Sequence, residues 1–159
     1  MRQPAARNKS SNRTRRCHHH RMTTCQFCRI IARELESSVV HESETVLAFM
    51  DIDPATAGHV LVVPKAHLPD LADLDDGVAA EMFAVARAVA AALRRSSLPC
   101  EGVNLFYADG EAAFQEVPHS HLHVVPRSAG DGFRISARWG SHPARAELDT
   151  HAETIRAAL

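Results

Sequence analysis

The sequence holds no uninterrupted apolar run near the roughly 20 residues that a membrane-crossing helix needs, which excludes a helical span. Its first 22 residues lack any acidic side chain and lack the apolar centre of a secretory signal. They carry six Arg and one Lys and offer almost nothing to bury, so residues 1–22 are expected to be a disordered basic tail. The tail is Arg-rich like a mitochondrial transit peptide but lacks the apolar residues of an amphipathic face. Met22, just ahead of Thr-Thr-Cys-Gln-Phe-Cys, reads as the start, with the residues before it as an upstream extension. Only four cysteines occur, Cys17, Cys25, Cys28 and Cys100, and their irregular spacing excludes a disulfide framework. No internal repeat is visible.

The whole chain balances 18 Lys and Arg against 19 Asp and Glu. Seven of those basic residues lie in the tail, so the remainder has 11 basic and 19 acidic groups, a net of −8. A basic tail can touch nucleic acid or an anionic surface. The acidic remainder argues against nucleic acid as the partner, and no membrane association is expected.

What is present fits one domain over 23–159, with a C-terminal segment from about 131. Arg29 to Ser37 predicts a short helix with Ile30, Ile31 and Leu35 on one side. Val39-Val40-His41, Thr45 to Met50, His59 to Val63 and Val103 to Tyr107 predict strands. Val78 to Arg95 predicts the longest helix, with Met82, Val85, Val89 and Leu93 at helical spacing. Ala144 to Leu159 predicts a closing amphipathic helix. The grouping of strands predicts an α+β fold, with about five mostly antiparallel strands, a long packed helix and a C-terminal helix.

One segment carries the chemistry. His119-Ser120-His121-Leu122-His123 alternates, and side chains alternate between faces in a strand. All three imidazoles are therefore expected on one face, about 7 Å apart along the backbone. Imidazole serves as nucleophile, proton carrier or metal ligand near neutral pH. The middle ring, His121, is best placed to attack while its neighbours donate hydrogen bonds. A second signal is Cys25-Gln26-Phe27-Cys28, whose spacing lets two thiolates grip one metal ion.

Four stretches in order give the chain its resemblance to the histidine triad family of nucleotide hydrolases and transferases. They are Cys25 to Cys28, Ala48 to Pro54, Gly58 to His67, and Gln115 to Arg127. The resemblance implies a sheet that pairs with that of a second subunit, and hence a homodimer. It implies a purine nucleotide substrate cleaved at the α-phosphate, with His121 forming a nucleotidyl-histidine and water releasing the monophosphate. His123 would donate to a non-bridging oxygen, and His119 completes the triad. Gln115 and the backbone around Glu116 and Val117 would face the phosphate. Asp51 would take the ribose hydroxyls, Ile52 would lie beside the base, and His59 would lie near the triad.

Cys25, Cys28, His67 and His119 match positions that hold structural zinc in many bacterial members and in the larger galactose-1-phosphate uridylyltransferase relatives. Imidazoles and backbone N–H groups bind phosphate without magnesium, so activity is expected to survive EDTA. A cytoplasmic enzyme acting on a nucleoside phosphoramidate or adenylate is the leading expectation. Dinucleoside polyphosphates, cleaved by water or phosphate, are the second, and a non-catalytic purine nucleotide-binding module is the third. Several positions depart from the family's pattern. Ser120 stands at a usually apolar spacer and would open that face, Ala108 replaces a frequent Asn, Phe114 a frequent Gly, and Glu116 a Ser or Thr. Trp139 and the stretch 134–142 are candidates to reach the partner's leaving-group side.

Overall fold

The computed structural model describes residues 25–137 and 140–159. The basic tail and Trp139 lie outside them. Five strands form one sheet: β1 (Val39–Glu42), β2 (Val46–Met50), β3 (Val60–Pro64), β4 (Gly102–Tyr107) and β5 (Leu122–Arg127). Their order is β1-β2-β3-β5-β4, with every neighbouring pair antiparallel. Among the described residues three α-helices accompany it: α1 (Gln26–Ile31), α2 (Asp76–Arg95) and α3 (Arg145–Arg156). The α+β expectation therefore holds. Among the described residues no helix is long and apolar enough to cross a membrane.

The sheet is covered on both faces at its centre, which is why β2 and β3 read as continuous apolar runs. Val46, Ala48, Val60, Val62 and Val124 pack against Met82, Val85, Ala86, Val89 and Leu93 of α2. The alternate residues Leu47, Phe49, Leu61 and Val63 pack with Cys25 and Phe27 at α1. Burying each such aliphatic side chain contributes roughly 1.5–3 kcal/mol. The histidines gather on the α1 face, opposite α2.

Local chemistry moves several element ends. Helix α2 starts at Asp76 rather than Val78 because the Asp75 carboxylate accepts from the Gly77 N–H at 2.9 Å, a cap worth about 1 kcal/mol. Helix α1 is shorter and earlier than Arg29–Ser37. It stops ahead of Arg33, whose φ of 63° turns the chain left-handed, and the Glu34 and Leu35 N–H groups return to the Arg29 carbonyl. The histidine segment joins the ladder only from Leu122. His119 sits in a bend, its N–H 2.8 Å from the Val117 carbonyl, so the strict two-face alternation does not extend back to it. Helix α3 forms within the expected C-terminal stretch but buries none of its side chains.

Candidate active site

Each triad imidazole meets a partner that fixes its protons. The Nδ1 of His121 lies 2.6 Å from the His119 carbonyl. A carbonyl only accepts, so Nδ1 carries the hydrogen and Nε2 keeps its lone pair. The Nε2 of His119 donates to the Pro64 carbonyl at 2.8 Å, which leaves its Nδ1 as a lone-pair donor. At His59 the Ala55 N–H donates to Nδ1 at 3.2 Å, so Nε2–H faces the His123 Nδ1 at 2.9 Å. The remaining hydrogen of His123 then sits on Nε2. The Asp51 carboxylate stands 3.3 Å from the His59 Nδ1 and acts on it through charge.

Burial keeps these rings neutral. It pushes His123 down to about 4, with His121 and His59 adding repulsion. His119 falls to about 4 by burial, its bond to Pro64 opposing. His121 and His59 also lie below the ordinary histidine value through burial, and the Asp51 carboxylate partly offsets both shifts. A buried neutral imidazole with one nitrogen hydrogen-bonded and the other bare is a nucleophile.

Behind the triad, Cys25, Cys28, His67 and His119 bring one ligand atom each within 4.8 Å of one another. The Sγ–Nδ1 separations are 3.5 Å for Cys25–His119, 3.3 Å for Cys28–His67 and 3.6 Å for Cys28–His119. Tetrahedral zinc with Zn–S near 2.3 Å and Zn–N near 2.0–2.1 Å separates S and N by about 3.5 Å, so the donor set fits. The His119 Nε2 bond to a carbonyl is the outer support such ligands use. Burial and the neighbouring Cys25 push the Cys28 thiol up to about 12, a shift that a bound cation reverses.

His121 and His123 open into a cavity of about 1180 Å³. Phe27, Ile30, Phe49 and Leu61 form an apolar wall, and Asp51, Ile52, Glu116 and Val117 also line it. Of the sequence-predicted contacts, Gln115 turns away from the cavity. The Gln115 carboxamide accepts from the Gly110 N–H and donates to the Pro69 carbonyl, both at 2.8 Å, so it braces a loop rather than facing the cavity. His59 is buried behind His123. Ser120 does not open its face, because it is wholly buried with its N–H on the Leu68 carbonyl at 2.6 Å.

Sequence reasoning missed Phe27 and Phe106. Phe27 meets His121 and His119 edge-on at 5.2 and 5.7 Å between ring centres. Phe106 meets His123 at 5.9 Å. The position of Phe27 between two metal-spaced cysteines was its available signal. That of Phe106 was its cross-strand register opposite His123, visible only once β4 and β5 are paired.

A family model described as the HIT domain matches residues 32–130. An uncharacterized HIT-like protein of Borreliella burgdorferi is 45% identical over 113 residues, covering 70% of this chain and 81% of that protein. An adenosine 5'-monophosphoramidase of Schizosaccharomyces pombe is 30% identical over 120 residues, covering 76% and 86%. A Zn-bound histidine triad family protein of Mycobacterium smegmatis has a similar structure, with a TM-score of 0.68 and 38% identity over 87% of this chain and 99% of that one.

Proposed function

This chain belongs to the HIT family, and on that premise we propose that it is a nucleotidyl hydrolase acting at the α-phosphate of a purine nucleoside phosphoramidate or related adenylate. The observation that carries this reading is the tautomer of His121, with Nδ1–H on the His119 carbonyl and Nε2 bare at the cavity. Nε2 forms a bond to the α-phosphorus as the bond from phosphorus to the leaving nitrogen or oxygen breaks, and the leaving group takes a proton. Water then attacks the phosphorus and gives up a proton as the phosphorus–Nε2 bond breaks. Nucleoside monophosphate leaves and His121 is restored.

His123 donates from Nε2–H to a non-bridging oxygen, where charge grows in the transition state. His59 holds His123 in the tautomer that allows this. Asp51 takes the ribose hydroxyls, and the exposed Ile52 with the Phe27–Ile30 wall takes the base. The similarity to the Schizosaccharomyces pombe phosphoramidase supports this substrate class.

Cys25, Cys28, His67 and His119 would hold zinc with no open position, and the ion would supply structural rigidity rather than reactivity. The phosphate is handled by imidazoles, so magnesium is not required. The reduced thiols suit the cytoplasm. Two copies pair along β4, the edge strand whose Leu105 and Phe106 are exposed.

The test is turnover of an adenosine phosphoramidate and a diadenosine polyphosphate, with EDTA present, by wild type and His121→Ala. Phosphoramidate turnover lost in the variant supports the proposal. Preference for the polyphosphate moves the substrate to the second class, and AMP binding without any turnover makes the chain a binding module.

A further inference from the structure

We propose that Asp109 and Gln115 are positioning residues for the nucleophile: they clamp the segment 68–71, and that segment aims the His119 carbonyl at the His121 ring. This deepens the hydrolase reading and rests on it.

The link is a single peptide group. The His119 carbonyl, which accepts from the His121 Nδ1–H at 2.6 Å, and the Ser120 N–H are the two ends of one planar amide. They point in opposite directions, so fixing one aims the other. The Ser120 N–H is fixed on the Leu68 carbonyl at 2.6 Å. Ser120 is wholly buried, so water does not replace that partner. Each of the two bonds also polarises the shared amide and strengthens the other. The His121 tautomer is therefore set one step further back, at Leu68.

Residues 68–70 belong to no helix or strand, and Leu71 opens the short 3-10 helix Leu71–Asp73. Pro69 has no N–H to offer. No sheet ladder holds this segment, and each of its four residues bonds instead to the stretch 109–120. Beyond the Leu68 carbonyl, the Pro69 carbonyl accepts from the Gln115 carboxamide at 2.8 Å. The Asp70 carbonyl accepts from the Ser120 hydroxyl at 3.3 Å, and the Leu71 N–H donates to the Asp109 carboxylate at 3.0 Å.

Two of these partners, Asp109 and Gln115, lie outside the histidine segment. Gln115 is itself held, its Oε1 accepting from the Gly110 N–H at 2.8 Å and its own N–H reaching the Gly110 carbonyl at 3.2 Å. Neither residue lines the cavity into which His121 and His123 open. Their effect on the chemistry therefore runs through segment 68–71 and the His119–Ser120 peptide, not through contact with substrate.

The test measures turnover of an adenosine phosphoramidate by wild type, Asp109→Ala, Asp109→Asn and Gln115→Ala. The tautomer of His121 is read in each from its imidazole nitrogen shifts by NMR. Wild type should carry the His121 hydrogen on Nδ1. Both alanine variants should lower kcat about three- to tenfold, the rate equivalent of one hydrogen bond, with KM little changed. Both should also move His121 toward a mixture of its two tautomers. Asp109 is exposed, so its replacement leaves the core intact. Asp109→Asn keeps an oxygen for the Leu71 N–H and should recover most of both losses.

Unchanged kcat and tautomer in the alanine variants overturn the clamp and leave the hydrolase reading standing. So does a loss of kcat without a change of tautomer, or one that Asp109→Asn does not recover. A raised KM with intact kcat in Gln115→Ala places Gln115 against substrate and overturns its part in the clamp. A wild type without turnover, whose alanine variants still shift the tautomer, overturns the hydrolase reading and keeps the clamp. Absence of turnover and of any shift overturns the two together.

Discussion

The main-chain oxygen of His119 lies 2.6 Å from the Nδ1 of His121, while the ring of His119 faces the Cys25 and Cys28 sulfurs. One residue thus belongs to the thiol–imidazole cluster through its side chain and sets the proposed nucleophile's tautomer through its backbone. Whatever holds the His119 ring also holds the carbonyl that keeps the His121 Nε2 bare.

Zinc loss is therefore expected to reach the chemistry. Elemental analysis of the purified protein should give about one zinc per chain. Cys28→Ser should release the metal, lower the melting temperature and lower kcat about 10- to 100-fold, the usual effect of disturbing support around a metal site. Brief EDTA, which removes magnesium but does not strip a closed tetrahedral site, should leave turnover intact. A zinc-free Cys28→Ser protein with full kcat would break the link.

The pH response follows from the sign of the shifts. His121 and His59 lie below the ordinary 6.5 and His123 lies near 4. Between about 4 and 6.5 the unfolded chain therefore binds more protons than the folded one, and stability rises with pH. This contribution is complete above 6.5 and is lost as the pH falls toward 4. The acid limb of kcat should have its midpoint below 6.5 and report the coupled cluster. The Asp51 carboxylate favours the charged form of all three rings, so Asp51→Asn should move that limb to lower pH. A limb at or above 6.5 in wild type, or an alkaline shift in the variant, contradicts the assignment.

Much of the fold was legible because the apolar runs are long and their breaks are chemically marked. Pro54 and Gly58 mark the loop between β2 and β3, and Pro64 ends β3. The pairing order of the strands was not legible, since it depends on contacts far apart in sequence such as Leu61 with His123. At the site, the two-residue histidine spacing and the CxxC pair marked the triad and the two thiols, while His67 entered only through the family resemblance. They did not give Gln115 its partners, because the Pro69 carbonyl approaches it only after the chain folds back across 46 positions. Nor did they show the short ladder, since Ser120, next to the bend at His119, gives its N–H to the Leu68 carbonyl, a partner far off in sequence.

Phe27 should matter to stability and rate together. It is buried among Phe49, His119 and His121. Truncation to Ala leaves a cavity against both imidazoles and should cost about 3–5 kcal/mol in urea unfolding. Phe27→Leu refills most of that volume and should recover most of the stability. Its kcat should still fall, because an aliphatic side chain does not reproduce the edge-on packing that orients His121. Full kcat in Phe27→Leu would confine Phe27 to a packing role.

Oligomeric state has a direct check. Pairing along β4 would cover Leu105 and Phe106, which are 40% and 44% exposed in one copy. Light scattering at micromolar concentration should return the mass of two 17.4 kDa chains. Leu105→Lys should shift that mass toward one chain. A single-chain mass for wild type contradicts the homodimer.

Gly58 separates backbone strain from packing. It precedes His59 with a φ of 94°, and a Cβ there would lie 3.0 Å from Leu93, 3.1 Å from Leu98 and 3.2 Å from Pro126. Gly110 has a similar φ of 84° but nothing within 4 Å of its Cβ position. Ala at Gly110 therefore meets only the conformational cost, about 1–2 kcal/mol. Ala at Gly58 meets that cost and must also displace the end of α2 and β5. Urea unfolding should show Gly58→Ala as the more destabilised of the two by about 1–3 kcal/mol, the usual size of core overpacking. Because His59 follows directly and orders the His123 tautomer, Gly58→Ala should also lower kcat. Equal destabilisation of the two variants would mean that Leu93, Leu98 and Pro126 yield freely, and that the turn before His59 is held by its backbone hydrogen bonds rather than by the packing around Gly58.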